Sequence, residues 1–139
     1  MKAPFDIAGD LDTPVSAFMK LAAFRPRFLL ESVEGGERLG RYSFIGLGAG
    51  LEVRLDRDGF AIGAERRPIP RTTAELLAGL RDGLARAPQP LPACSPLAGG
   101  LVGYAAYDIV RFFERLPLRT GFETGTPILH YVAPRSLLV

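Results

Sequence analysis

Residues 28–46 constrain the chain more than any other stretch. They read Phe-Leu-Leu-Glu-Ser-Val-Glu-Gly-Gly-Glu-Arg-Leu-Gly-Arg-Tyr-Ser-Phe-Ile-Gly. An apolar entry, Phe28 to Leu30, runs into Glu31 and Ser32. After Gly35-Gly36 the chain resumes as Arg41-Tyr42-Ser43-Phe44-Ile45, a run suited to a pleated, half-buried surface. Two such runs around paired glycines predict a hairpin-like unit. The stretch from Glu34 to Gly40 is too long for a two-residue turn, so an open loop is expected. Alternation puts Phe28, Leu30 and Ser32 on one face, and Leu29, Glu31 and Val33 on the other. A single hydroxyl ending an apolar row fits two roles. It is either a core serine bonded to backbone or the polar end of a small ligand slot.

Upstream, Thr13-Pro14 predicts a helix start, with Thr as N-cap and Pro at the first helical position. Val15, Phe18, Met19 and Ala22 follow at helical spacing as its apolar face, and Pro26 ends the helix by Arg25 or sooner. Downstream, Leu51-Glu52-Val53-Arg54-Leu55 alternates as a strand. Asp56-Arg57-Asp58-Gly59 is a turn, and Phe60-Ala61-Ile62 returns as the partner strand. Glu65 to Arg71 reads as a connector in which Arg66, Arg67 and Arg71 are solvated.

Thr72 with Glu75 predicts a capping box opening a helix whose buried stripe is Leu76, Leu77, Leu80 and Leu84, with Arg81, Asp82 and Arg86 outside. Pro88, Pro90, Pro92 and Pro96 make an extended linker. Gly99 to Tyr107 is a strand candidate whose glycines allow close backbone approach. Asp108 is placed to cap a short helix holding Ile109, Val110, Phe112 and Phe113, with Arg111, Glu114 and Arg115 at ion-pair spacing. Pro117 stops that helix, and Gly121 to Pro127 is a loop. Arg135 to Val139 reads as a further strand. The chain ends inside it on apolar residues, where an unpaired strand would expose a hydrophobic edge; a segment of a longer protein is the expectation.

Composition excludes several classes. At 139 residues with 47% hydrophobic content, the chain is one domain or part of one and can bury a core. The 17 basic and 15 acidic residues leave a net charge of +2, spread rather than clustered, which argues against a nucleic-acid surface. Cys94 is the only cysteine, so no internal disulfide forms; a reducing, cytoplasmic setting fits. The acidic N-terminus is no signal peptide, and the least polar stretch, Ala98 to Tyr107, is too short to cross a bilayer.

Catalytic groups are sparse. His130 is the single histidine, with no ligand cluster in the sequence around it. The glycines near residue 35 lack the Lys-Ser/Thr ending of a phosphate loop. Alternation puts Glu31 and Glu34 on opposite faces of a regular strand, which disfavours an acid/base or Mg²⁺ pair. Asp56 and Asp58 belong to a turn. No catalytic residue and no metal ligand is assigned.

Four ordered blocks resemble the N-terminal region of anthranilate synthase component I, the large chorismate-utilising subunit. They are Thr13-Pro14-Val15 with Leu21; Leu29-Leu30-Glu31-Ser32 with Gly40-Arg41-Tyr42-Ser43-Phe44-Ile45-Gly46; Gly99-Gly100-Leu101-Val102-Gly103-Tyr104 with Tyr107-Asp108-Ile109-Val110-Arg111 and Glu114-Arg115-Leu116-Pro117; and Pro134-Arg135-Ser136-Leu137-Leu138-Val139. The resemblance implies an α+β fold: antiparallel sheet with flanking helices, part of a larger β-sandwich. It implies that the complete protein converts chorismate and ammonia to anthranilate and pyruvate, with Mg²⁺ bound by residues outside this segment. A glutamine amidotransferase subunit would supply the ammonia. The Leu-Leu-Glu-Ser element belongs, in that family, to the site where L-tryptophan binds as feedback inhibitor. Ser32 is then the candidate hydroxyl, Glu31 an acceptor by side chain or backbone, and Arg41 a candidate partner for the ligand carboxylate or else a surface arginine. Two other readings stay open: aminodeoxychorismate synthase component I, or a stand-alone small-molecule-binding module.

Overall fold

The computed structural model describes residues 8–32, 42–48, 50–88, 97, 99–115 and 125–139. The loop from Glu34 to Gly40, Arg41, most of the Pro-rich linker with Cys94, Pro117 and much of the 121–127 loop lie outside them. The chain, expected as one domain or part of one, divides into two compact units. Every sheet pairing is antiparallel, and helices accompany the sheets, so the fold is α+β.

The first unit comprises Met1–Gly50, Pro88–Gly99 and Pro134–Val139. Helix α1 (Pro14–Lys20) starts where its capping chemistry puts it. The Ser16 N–H donates to Thr13 Oγ1 at 3.1 Å, and the Thr13 N–H donates to Ser16 Oγ at 2.9 Å. A serine thus closes the capping box that Glu or Gln usually closes. The expected apolar face is rotated: Val15 and Met19 are 52% and 72% exposed, while Pro14, Ala17, Phe18 and Leu21 are partly buried. The helix packs against strands β1 (Pro26–Glu31) and β2 (Ser43–Leu47). A 3₁₀ turn, Leu21–Phe24, and a left-handed Arg25 (φ 54°) reverse the chain into β1. With β8 (Ser136–Leu138) these strands form a three-stranded sheet of order β1-β2-β8. The final strand therefore pairs with β2 on one side and forms an edge of this sheet.

The second unit comprises Leu51–Ala87 and Gly100–Ala133. Its five-stranded sheet runs β5-β4-β3-β7-β6, with β3 Leu51–Asp56, β4 Gly59–Ile62, β5 Glu65–Arg67, β6 Val102–Ala105 and β7 Leu129–Ala133. The β3–β4 hairpin forms as its alternation predicts. Asp56 Oδ1 accepts from the Asp58 N–H at 2.9 Å and fixes the turn. The core is Val53, Leu55, Phe60, Ile62, Leu76, Ile128 and Leu129. Helix α2 (Thr73–Arg86) covers it. The Thr72 hydroxyl accepts from the Glu75 N–H at 3.2 Å, but the Glu75 carboxylate accepts from the Arg71 N–H at 2.7 Å rather than completing the box.

Three further expectations change here. The buried row of α2 is Leu76, Gly79 and Gly83, with Leu84 47% exposed. Asp108 does not cap: the N-cap of the 3₁₀ segment Tyr107–Phe112 is Ala106, and Asp108 pairs with Arg111 at 3.2 Å. Glu65–Arg67 is strand β5, not a loose connector, because Phe60, Ala61 and Ile62 offer it a free edge.

Candidate functional site

The candidate site lies at the end of β1 in the first unit. The pairing with β2 shifts between Pro26 and Phe28 and is regular from there to Glu31. No bulge re-aims Glu31. Phe28 stands opposite Gly46, whose missing Cβ leaves room for the Phe28 ring. Leu30 stands opposite Phe44 on the same face. The other face carries Leu29 opposite Ile45 and Glu31 opposite Ser43. Ile45, 3% exposed, anchors that second face.

Glu31 is the last residue of the strand and exposed; Ser32 follows immediately, outside the ladder, and is exposed too. In this chain Ser32 is therefore not a core serine. An apolar strand runs out into an exposed carboxylate and an exposed hydroxyl, flanked by Leu30 at 39% and Tyr42 at 43% exposure. Such an arrangement offers an acceptor for an ammonium, a donor for a carboxylate and apolar surface for a ring. Arg41 lies outside the described residues. Ser43, half-buried at the start of β2, is the residue paired with Glu31. Its position opposite Glu31 depends on the register across a long loop, which no local pattern encodes.

The second unit carries two polar clusters of a different kind. One rung crosses all five strands: Arg66, Ala61, Arg54, His130 and Tyr104 stand opposite one another in turn. Asp56, 8% exposed, pairs with Arg54 at 2.8 Å and with Arg66 at 3.5 Å. His130 Nε2 lies 3.3 Å from Glu52 Oε2, and the Tyr104 ring meets the imidazole edge-on at 6.3 Å. The histidine thus has a carboxylate partner that the sequence did not reveal.

The other cluster is a closed ring of four charges joining β5 to α2. Arg67 pairs with Glu65 at 2.7 Å and with Asp82 at 2.5 Å, and Arg86 pairs with Glu65 at 2.5 Å and with Asp82 at 2.8 Å. Hydrogen bonds from Arg67, then from Arg86, hold both carboxyls below their ordinary values. Arg66 and Arg67 are thus paired rather than simply solvated. Among the described residues, no three His, Cys, Asp or Glu side chains gather as a metal ion requires. Nor is any helix among them long and apolar enough to cross a membrane.

No family model matches the chain. It is 44% identical over 131 residues to anthranilate synthase component 1 of Thermus thermophilus, an alignment covering 94% of this chain and 27% of that protein. It is 46% identical over 125 residues to anthranilate synthase component 1 of Mycobacterium tuberculosis, covering 81% of this chain and 23% of that protein. In fold it is similar to the crystal structure of anthranilate synthase component I from Streptococcus pneumoniae TIGR4, with a TM-score of 0.54 at 20% identity over 99% of this chain and 28% of that one. The chain spans about a quarter of the length of these relatives. By this sequence similarity, with a fold that agrees, the chain belongs to the anthranilate synthase component 1 family.

Proposed function

We propose that this chain is the tryptophan-sensing part of an anthranilate synthase component I. The complete protein would convert chorismate and ammonia to anthranilate and pyruvate in the cytoplasm. A glutamine amidotransferase subunit would deliver the ammonia. The observation that carries the reading is the end of β1: Glu31 and Ser32 emerge exposed from an apolar strand, in a chain 44% identical to a named anthranilate synthase component 1.

The roles follow from the groups. L-Tryptophan presents an ammonium, a carboxylate and an indole. Glu31 accepts from the ammonium, the Ser32 hydroxyl bonds the ligand's polar end, and Arg41 is the residue proposed for its carboxylate. The indole gains by leaving water for apolar surface, about 25 cal/mol per Å². The Mg²⁺ ligands are proposed to lie outside this segment, and no step is routed through the metal.

Chorismate turnover by the complete enzyme, followed by anthranilate fluorescence, tests the activity. Titration with tryptophan tests the sensing role. Formation of anthranilate that tryptophan suppresses in the wild type, and suppresses less after Ser32→Phe, supports the reading. Absence of anthranilate formation overturns it.

A further inference from the structure

We infer that the outer face of α1 is a docking surface, covered in the complete protein by the part of the component I polypeptide outside these 139 residues; the inference rests on reading the chain as part of a component I. Helix α1 is apolar on two sides. Ala17 and Phe18 are partly buried where the helix packs on β1 and β2. Val15 and Met19, neighbours one turn apart, are 52% and 72% exposed. Leu11 just before the helix is 99% exposed, and Phe24 just after it is 64% exposed. Single apolar residues on a surface are ordinary. A succession of large ones along one short segment marks a contact.

The polar side chains of the helix are already committed. Ser16 Oγ donates to Asp12 Oδ1 at 2.8 Å, and Lys20 Nζ donates to the same oxygen at 2.6 Å. Asp12, Ser16 and Lys20 thus form a polar rim, and Leu11, Val15 and Met19 run one position behind them in sequence. A helix of 7 residues is marginal by itself, and apolar contact on both sides would hold it. The occupant follows from two observations. The alignment with the Thermus thermophilus relative covers only 27% of that protein, so about three-quarters of a component I lies outside the matched region. A permanent contact is also more apolar than one between subunits that associate after folding. Both favour a segment of the same polypeptide over the amidotransferase subunit or a second copy.

Met19 reports on its own cover, because oxidation of a methionine to the sulfoxide follows exposure of its sulfur. The test treats complete wild-type component I, without the amidotransferase, with dilute hydrogen peroxide and follows Met19 by mass spectrometry. Met19 is expected to oxidise at least about tenfold more slowly than in the same protein unfolded in urea, and equally slowly at every protein concentration. Smaller protection overturns the inference. Protection that appears only with the amidotransferase, or that grows with protein concentration, also overturns it and assigns the face to that partner or to a second copy. Met19→Glu gives a second readout: a lowered Tm of the complete enzyme is expected, and an unchanged Tm counts against a covered face. Free oxidation of Met19 in an enzyme that forms anthranilate sinks this inference alone. If no anthranilate forms, the component I reading fails, and the oxidation rate still decides whether the face is covered.

Discussion

Gly79 on α2 faces the ring of Phe60 on β4 so closely that a Cβ added to the glycine would stand 2.8 Å from Phe60 Cε1. One turn further on, a Cβ at Gly83 would stand 2.6 Å from Val53 Cγ2. The helix therefore meets its sheet through two glycines, with Leu76 fully buried in the same row. Glycine in a helix interior costs about 1 kcal/mol relative to alanine, and the close approach is what that cost accompanies.

Gly79→Ala and Gly83→Ala are thus expected to destabilise the chain despite improving helix propensity. Overpacking costs about 1–3 kcal/mol, against the gain of about 1 kcal/mol from alanine. Phe60 is 2% exposed and Val53 0% exposed, so neither neighbour can swing into solvent. Urea unfolding measures the outcome. The expected result is a lower midpoint with an unchanged slope; a raised midpoint would mean that the helix moves outward at no cost.

The charge ring predicts a dependence on pH. Glu65 and Asp82 are held below the ordinary carboxylate range, by Arg67 first and Arg86 second. In the unfolded chain both carboxyls return to ordinary values of about 4. Their contribution is therefore complete above that range and is lost as pH falls through the lowered folded values. Thermal unfolding from pH 7 down to pH 3 should show Tm falling below about pH 4.5, with a shallower fall in Arg67→Gln, which removes the larger cause for both carboxyls. The groups are well exposed, so high salt should reduce the difference between variant and wild type. Equal pH slopes in the two proteins would show that the ring contributes nothing measurable.

Much of the second unit is legible in its sequence because its signals are local. Alternation around Asp56-Arg57-Asp58-Gly59 yields the β3–β4 hairpin, and Thr72 marks the start of α2. The same holds for Thr13-Pro14 at α1. Non-local facts are what the sequence hides. Strand β5 is Glu-Arg-Arg, a poor strand by composition, and exists because β4 presents an edge and α2 presents Asp82 and Arg86. The sequence points to a leucine stripe on α2; Leu76 and Leu80 do meet the core, while close approach adds Gly79 and Gly83 and leaves Leu84 exposed. At the candidate site, Glu31 and Ser32 are visible as a pair in the chain, but Ser43 enters only through register.

The isolated chain is expected to bind tryptophan weakly. Glu31, Ser32, Leu30 and Tyr42 are all exposed, and an indole resting on an open surface buries only part of its area, with a matching loss of the roughly 25 cal/mol per Å² that burial supplies. Calorimetry on the 139-residue chain beside the complete enzyme makes the comparison. Equal, tight affinity in both would favour the stand-alone binding module.

Ser32 gives the sharpest test of the sensing reading. In the complete enzyme, Ser32→Phe and Ser32→Leu are expected to raise the tryptophan concentration needed for half inhibition far more than Ser32→Ala does. Loss of one hydroxyl removes a hydrogen bond worth roughly 0.5–1.5 kcal/mol, about three- to tenfold in affinity. A bulky side chain does more, because it occupies the space the ligand needs. Inhibition couples two separate sites, so loss of effector binding does not require damage to the catalytic one. Had Ser32 been a core residue, the same bulky substitutions would overpack the interior and lower Tm by the equivalent of about 1–3 kcal/mol. In this chain Ser32 is exposed and lies beyond the last rung of β1, and exposed substitutions of this kind usually change stability by no more than about 0.5 kcal/mol. The two accounts separate in one pair of measurements, Tm and half-inhibitory tryptophan concentration. A near-constant Tm with markedly relieved inhibition places Ser32 in the ligand's path. Inhibition of Ser32→Phe at the wild-type tryptophan concentration removes Ser32 from the site.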